Sequence, residues 1–305
     1  MLTEHIDPRF VDLDSWPTGD MIEAMYDGQL AACAAIRPAL PAIIAAVDDA
    51  ASALQRGGRL VYVGAGTSGR IAVQDGAELR PTYDWPNDRI VFVMAGGMQA
   101  VLQSAEGAED DEAKGAAAIA DAKVNEHDVV IAVAASGTTP FTVGALRCAR
   151  ASAALCIAVA NNPGAPLFEP AHHRILIETG TEVLAGSTRM QAGTAQKIVL
   201  NLFSTAVMVK LGRVYRGLMV SMRASNAKLL RRAEIIVSQI VGCTENDAAK
   251  LVERADGDVK VAILLGLGWQ QSEAVAALLR HDGNLRSVID EVTDDRTRRS
   301  RGRAE

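Results

Sequence analysis

The sequence predicts an α/β fold, a parallel sheet flanked by helices, followed by a small all-helical domain at the carboxyl end. Short, continuous apolar runs recur between Arg59 and Ile177, and alanine-rich stretches long enough for crossover helices separate the first four of them. Beyond Arg223 the apolar spacing is helical throughout. Continuous rather than alternating hydrophobicity suits strands covered on both faces, which is the condition of a parallel sheet.

From Thr18 to Leu54 the apolar positions recur at helical spacing, interrupted at Asp27-Gly28 and at Pro38, so an N-terminal helical segment precedes the sheet. Gly57-Gly58 then breaks the chain, and Arg59-Leu60-Val61-Tyr62-Val63-Gly64 reads as the first buried strand. Runs at Ile90–Met94, Val129–Val133, Ala154–Val159 and Ile175–Ile177 supply four more. Ser187 to Lys210 is largely apolar with no strand break, which predicts a long buried helix capped at Ser187. Thr244-Glu245-Asn246-Asp247, Asp256-Gly257-Asp258 and the stretch Gln270 to Leu279 mark three short helices, so a small helical bundle is expected at about 241 to 291.

With 305 residues, 49% of them hydrophobic, the chain can bury a full α/β core and a smaller appendage. Its 37 acidic against 31 basic side chains give a net charge of −6, the opposite of the balance usual in nucleic-acid binders. The one basic run, Arg296 to Arg303, has no aromatic residue among its arginines and reads as a disordered tail. Cys33, Cys148, Cys156 and Cys243 form no Cys-x-x-Cys pair and are expected as buried free thiols of a reducing compartment. The histidines form no ligand spacing, so no metal is expected. No basic start precedes an apolar run, and no stretch is read as approaching a twenty-residue apolar span; a cytoplasmic protein is the expectation.

Gly64-Ala65-Gly66-Thr67-Ser68-Gly69 follows the first strand and formally matches the dinucleotide fingerprint. The second strand, however, ends Val93-Met94-Ala95-Gly96-Gly97, without the acid that would hold a ribose. What the loop offers is two hydroxyls, Thr67 and Ser68, and converging backbone N–H groups, which suit a single phosphate. A second loop of the same chemistry leaves the third strand: Ser136-Gly137-Thr138-Thr139, with Pro140 placed to open a helix. Ligands of open parallel sheets sit beyond the carboxyl ends of the strands, so the two loops can grip one phosphosugar. Each read alone is equally an ordinary helix cap. A third polar stretch, Thr179 to Arg189 and on through Lys197, adds Glu182, Ser187 and Lys197 as pocket candidates.

Gly64 to Arg70, Ala135 to Pro140 and, most specifically, Glu182-Val183-Leu184-Ala185-Gly186-Ser187-Thr188-Arg189 resemble the sugar isomerase (SIS) domain of the N-acetylmuramic acid 6-phosphate etherases. The resemblance runs from about Asp7 to Arg232, and the helical end is similar to that family's small C-terminal domain. It implies an N-terminal helical segment at 1–56, an SIS domain at 57–222, a helical region with a small UBA-like bundle at 223–291 and a tail at 292–305. It also implies cleavage of the lactyl ether of N-acetylmuramic acid 6-phosphate, without a cofactor, to N-acetylglucosamine 6-phosphate and D-lactate in cell-wall recycling. The family's acid and base are glutamates that fall on Glu78, in Asp75-Gly76-Ala77-Glu78, and Glu109, in Glu106-Gly107-Ala108-Glu109-Asp110. On that pattern Glu78 donates a proton and Glu109 removes one. Ala77, Leu79, Arg80 and Thr138 depart from the family's usual serine, cysteine, proline and arginine.

A carboxylic acid at its ordinary pKa of about 4.3 donates poorly at neutral pH, so the donor has to be raised by burial or by a like charge. An unbroken helix from Gly69 would carry Glu78 about 13 Å along its axis, too far for a hexose phosphate to bridge comfortably. Either Gly76 breaks that helix or Glu78 serves the pocket of a neighbouring subunit, and a homodimer with shared sites is the expectation. Two other functions stay open at this point: a non-catalytic phosphosugar-binding regulator akin to the glucokinase regulatory protein, and a sugar phosphate isomerase.

Overall fold

The apolar runs become strands β1 (Leu60–Gly64), β2 (Ile90–Met94), β3 (Val129–Val133), β4 (Leu155–Ala160) and β5 (His173–Leu176) in a computed structural model that describes residues 1–222 and 226–291. All pair in parallel, in the order β2-β1-β3-β4-β5. β1 and β3 are buried at every position, as continuous hydrophobicity requires. β5 starts two residues ahead of the apolar run because its first residues are polar yet paired: His173 Nε2 meets Asp49 Oδ2 at 2.8 Å. The basic tail at 292–305 lies outside the described residues.

By contacts the chain divides into two units: Met1–Ala77 with Pro86–Val207, and Glu78–Trp85 with the residues from Met208 onward. In the first unit, α1 (Thr18–Ala34) and α2 (Leu40–Gln55) precede the sheet. The crossovers are α3 (Gly66–Ala77), α5 (Glu112–Asp121) and α6 (Pro140–Ala151), with Pro140 at the first turn of its helix as expected. The stretch Thr18–Gln55 is, by length and composition, apolar enough to cross a membrane, which corrects the expectation that no segment comes near that length. In α2 that composition is spent on the core: Ile43, Ala46, Val47, Ala50 and Leu54 are buried, and the helix contacts β3, β4 and β5.

The free cysteines also differ from expectation, since Cys33 is exposed, Cys148 and Cys243 are half-buried and only Cys156 is buried. Burial pushes the Cys156 thiol up to about 12, so it is inert as a nucleophile at neutral pH.

In the second unit α4 (Leu79–Tyr83) belongs with α8 (Ala227–Val241), α9 (Glu245–Arg254), α10 (Val259–Gly266) and α11 (Gln271–Arg280). The caps read from sequence form: Thr244 Oγ1 accepts the Asp247 N–H at 3.2 Å, and Asp258 Oδ1 accepts that of Val261 at 3.0 Å. Val237, Val252, Ile263, Leu264 and Val288 make the core of the bundle.

Candidate active site

β1 and β3 are neighbours in the register Gly64↔Val133, so the turns that leave them start side by side. The strand order changes direction there, which opens a crevice at the carboxyl edge of the sheet. Gly66, at φ 51°, turns the chain straight into α3, followed by half-buried Thr67 and buried Ser68. In the second turn Ser136 Oγ accepts the Thr138 N–H at 3.2 Å. Gly137 takes φ 69° against Ala165, where a Cβ would stand 2.3 Å from the alanine methyl. Thr138 is exposed, and the Thr139 hydroxyl makes no hydrogen bond to the helix it precedes.

The structure brings Glu109 to the first of these turns. Its Oε2 stands 3.8 Å from the place a Cβ would take on Gly66. Both line a cavity of about 210 Å³ together with Arg70, Met94, Ser104 and Glu106. Glu109 lies on a short 3-10 turn, Ala108–Asp110, and the helix begins only at Glu112, capped by the Asp111 carboxylate on the Lys114 N–H. Arg70, which sequence reasoning left unassigned, holds the approach to this turn: its Nε donates to Ala100 O and Val101 O, and its Nη2 to Ser104 Oγ. The signal that could have found it is its place one turn after Gly66 on the helix that follows the first Ser/Thr turn.

Gly76 does not break α3. The helix is continuous to Ala77, about 16 Å of axial rise from Gly66. Gly76 is there for close packing, since a Cβ would meet Phe92 Cε1 at 2.5 Å and Tyr62 Cε2 at 2.8 Å. Glu78 follows the helix end, exposed, with its carbonyl accepting the Thr82 N–H at 3.2 Å. Glu109 therefore belongs to the first unit and Glu78 to the second.

The third polar stretch is organised around α7 (Gln191–Lys210), which starts four residues later than expected. Its cap is not Ser187, which sits in the preceding turn, but Glu182. Only 1% exposed, Glu182 accepts the Gln191 N–H on Oε2 at 2.8 Å and the Ala192 N–H on Oε1 at 2.9 Å. Burial pushes this carboxyl up, and the two N–H bonds pull it down. Both Glu182 oxygens are thus engaged by the first two N–H groups of α7.

Lys197 is exposed on α7, with Nζ bonded to Asn201 Oδ1. Asn201 Nδ2 in turn donates to Asp75 Oδ1 at 2.7 Å, Ser204 Oγ to the same oxygen at 3.1 Å and Tyr62 OH to Oδ2 at 2.8 Å. This buried network ties α3 to α7 and β1. Its members are scattered over the sequence without a motif.

The profile of the glucokinase regulatory protein N-terminal SIS domain matches residues 42–150, and that of the SIS domain matches residues 110–206. Together the two matches cover the five-stranded parallel sheet and its crossover helices, and the class is that of the SIS-domain proteins. Almost the whole chain is moreover similar to proteins named N-acetylmuramic acid 6-phosphate etherase. It is 47% identical over 290 residues to that of Deinococcus radiodurans, with 95% of each chain covered. The match to the Rhizobium rhizogenes protein is 42% over 295 residues and 96% of each chain. For Salmonella schwarzengrund it is 41% over 291 residues, covering 95% of this chain and 98% of the relative. The chain belongs to the N-acetylmuramic acid 6-phosphate etherase family.

Proposed function

We propose that this protein cleaves the D-lactyl ether of N-acetylmuramic acid 6-phosphate, releasing N-acetylglucosamine 6-phosphate and D-lactate in the cytoplasm during peptidoglycan recycling. The observation that carries the reading is the Glu109 carboxylate beside the Gly66 turn, an acidic group next to a helix N-terminus of the kind that suits a phosphate. In the open-chain sugar the C2 hydrogen is acidified by the C1 aldehyde. Glu109 removes that proton, the electron pair forms the C2–C3 double bond, and the C3–O bond breaks. Glu78 gives its proton to the departing ether oxygen, and water then adds across the double bond at C3 and C2. Thr67, Ser68, Ser136, Thr138 and Thr139 hold the phosphate with backbone N–H groups, and Lys197 adds positive charge. The chain's own residues supply both proton transfers.

A homodimer with shared sites is part of the same proposal, with Glu78 serving the pocket of a second copy. Four features support it. The uninterrupted α3 carries Glu78 away from the phosphate turn of its own chain, and both glutamates are exposed in a single chain. The cavity of about 210 Å³ is smaller than the roughly 300–1,000 Å³ usual for ligand pockets. Finally, Ile22, Tyr26 and Leu30 stand exposed at i, i+4 and i+8 along α1, an apolar stripe suited to a second copy.

D-lactate release from N-acetylmuramic acid 6-phosphate separates the readings, because an isomerase would return the ether intact and a sensor would turn over nothing. Mixed Glu78→Ala and Ser68→Ala chains, each inactive alone, are expected to recover activity on subunit exchange. No recovery after verified exchange would remove the shared site.

A further inference from the structure

We infer that the C-terminal helical unit is the element that positions Glu78, and that Arg213 is the residue through which it does so. The inference rests on the donor role proposed above for Glu78.

Glu78 begins the short segment, Glu78–Trp85, whose contacts group it with the residues from Met208 onward. The glutamate is fixed to that segment, because its carbonyl accepts the Thr82 N–H and so closes the first turn of α4. At the other end α4 is stopped firmly: Asp84 adopts the left-handed conformation, its N–H bonds Arg80 O at 2.9 Å, and the Trp85 N–H reaches Leu79 O at 3.4 Å. Leu79, Tyr83 and Trp85 are buried, and Trp85 is only 1% exposed.

Arg213 holds this buried end. Its Nη1 donates to Tyr83 O at 3.4 Å, and its guanidinium lies over the Trp85 ring, 5.4 Å from the centroid. Arg213 is itself anchored in the helical unit. Its N–H bonds Met208 O at 3.0 Å, and Gly212 packs so closely on Asn284 that an added Cβ would stand 2.7 Å from that side chain. The turn bearing Asn284 is held in turn by buried Lys260 on α10, whose Nζ donates to Gly283 O. A continuous set of contacts thus runs from α10 through Arg213 to α4 and ends at Glu78. The small helical unit, otherwise without a role in the reaction, acquires one.

A misplaced donor leaves a distinctive signature. With Glu109 intact, the C2 proton still comes off, but the intermediate waits for its leaving group to be protonated and returns to substrate with a solvent hydron. The test is therefore N-acetylmuramic acid 6-phosphate in D2O, with deuterium at C2 of the remaining substrate measured against D-lactate released. Arg213→Ala is expected to slow lactate release roughly 100-fold, the cost of a misplaced group, and to raise the ratio of exchange to elimination. Glu78→Gln should raise the same ratio further. Should Arg213→Ala fail to fold by circular dichroism, Arg213→Lys, which keeps the charge and loses the planar contact with Trp85, is read in the same way.

A wild-type ratio in a folded Arg213 variant, whether its rate is normal or slow, would overturn the inference, since a merely structural loss lowers exchange and elimination together. If Glu78→Gln alone raises the ratio, only Arg213's role falls. If Glu78→Gln leaves it unchanged, the donor assignment falls and this inference with it.

Discussion

Replacement of Glu109 by glutamine is expected to lower D-lactate release by about 10²- to 10⁴-fold, the range over which a positioned general base contributes. Glutamine keeps the size and polarity of the side chain beside Gly66 and lacks only a basic oxygen, so the loss would report proton abstraction and not the shape of the cavity. Binding of N-acetylglucosamine 6-phosphate, measured by calorimetry, should change little, because the proposed site assigns the phosphate to the hydroxyl-bearing turns. The variant should also lose deuterium exchange at C2, unlike a donor variant, which retains it. Glu106 faces the same cavity and is the internal control. A Glu109→Gln enzyme that kept exchange, together with a Glu106→Gln enzyme that lost it, would move the base by three residues.

The resemblance singles out Glu109 among the acids of its run, but the contact that brings it to Gly66 lies beyond what local sequence shows. The apolar runs that made β1 to β4 are legible because burial on both faces leaves a local trace, and both Ser/Thr turns follow directly from where those strands end. The approach of Glu109 to Gly66 joins positions 43 residues apart by number through a 3-10 turn held near Arg70, and no local pattern encodes it. Gly76 misled for a related reason. A glycine late in a helix suggests a break, whereas here the missing Cβ admits Phe92 and Tyr62. The segment Glu78–Trp85 reads as the tail of a crossover, yet its contacts lie with residues more than a hundred positions later. The apolar run at Ile175–Ile177 marked β5 but not its start, because His173 and Arg174 open the strand at the sheet edge. In each case the missing information was a tertiary contact, and local propensity was not wrong so much as overruled.

Removal of the Glu182 carboxylate is expected to cost about 3 kcal/mol of stability by chemical denaturation, from two buried N–H groups at about 1–3 kcal/mol each less the carboxylate's own burial penalty. The expectation of a cap at Ser187 was reasonable, as hydroxyls are common caps. What the chain does instead is turn at Gly186, φ 75°, and bring back a carboxylate from nine residues before α7 to its first two N–H groups. A full negative charge there also opposes the positive end of the helix dipole. In Glu182→Ala both N–H groups, on Gln191 and Ala192, lose their acceptor in a place closed to water, since both residues are buried. Glu182→Gln keeps a single acceptor and buries an added NH2, so it should fall between alanine and wild type. A change within about 0.5 kcal/mol for the alanine variant, the range of an ordinary surface substitution, would count against the cap. The effect should extend to catalysis, because α7 carries Gln196, bonded to Asn161 at 2.9 Å, then Lys197, Asn201 and Ser204, the side chains that reach Asp75 directly or through one another. A frayed first turn loosens that face of the helix progressively from its start. The variant should therefore lose affinity for the phosphosugar, seen as a raised KM, before it loses kcat, which the proposed mechanism assigns to two glutamates held elsewhere.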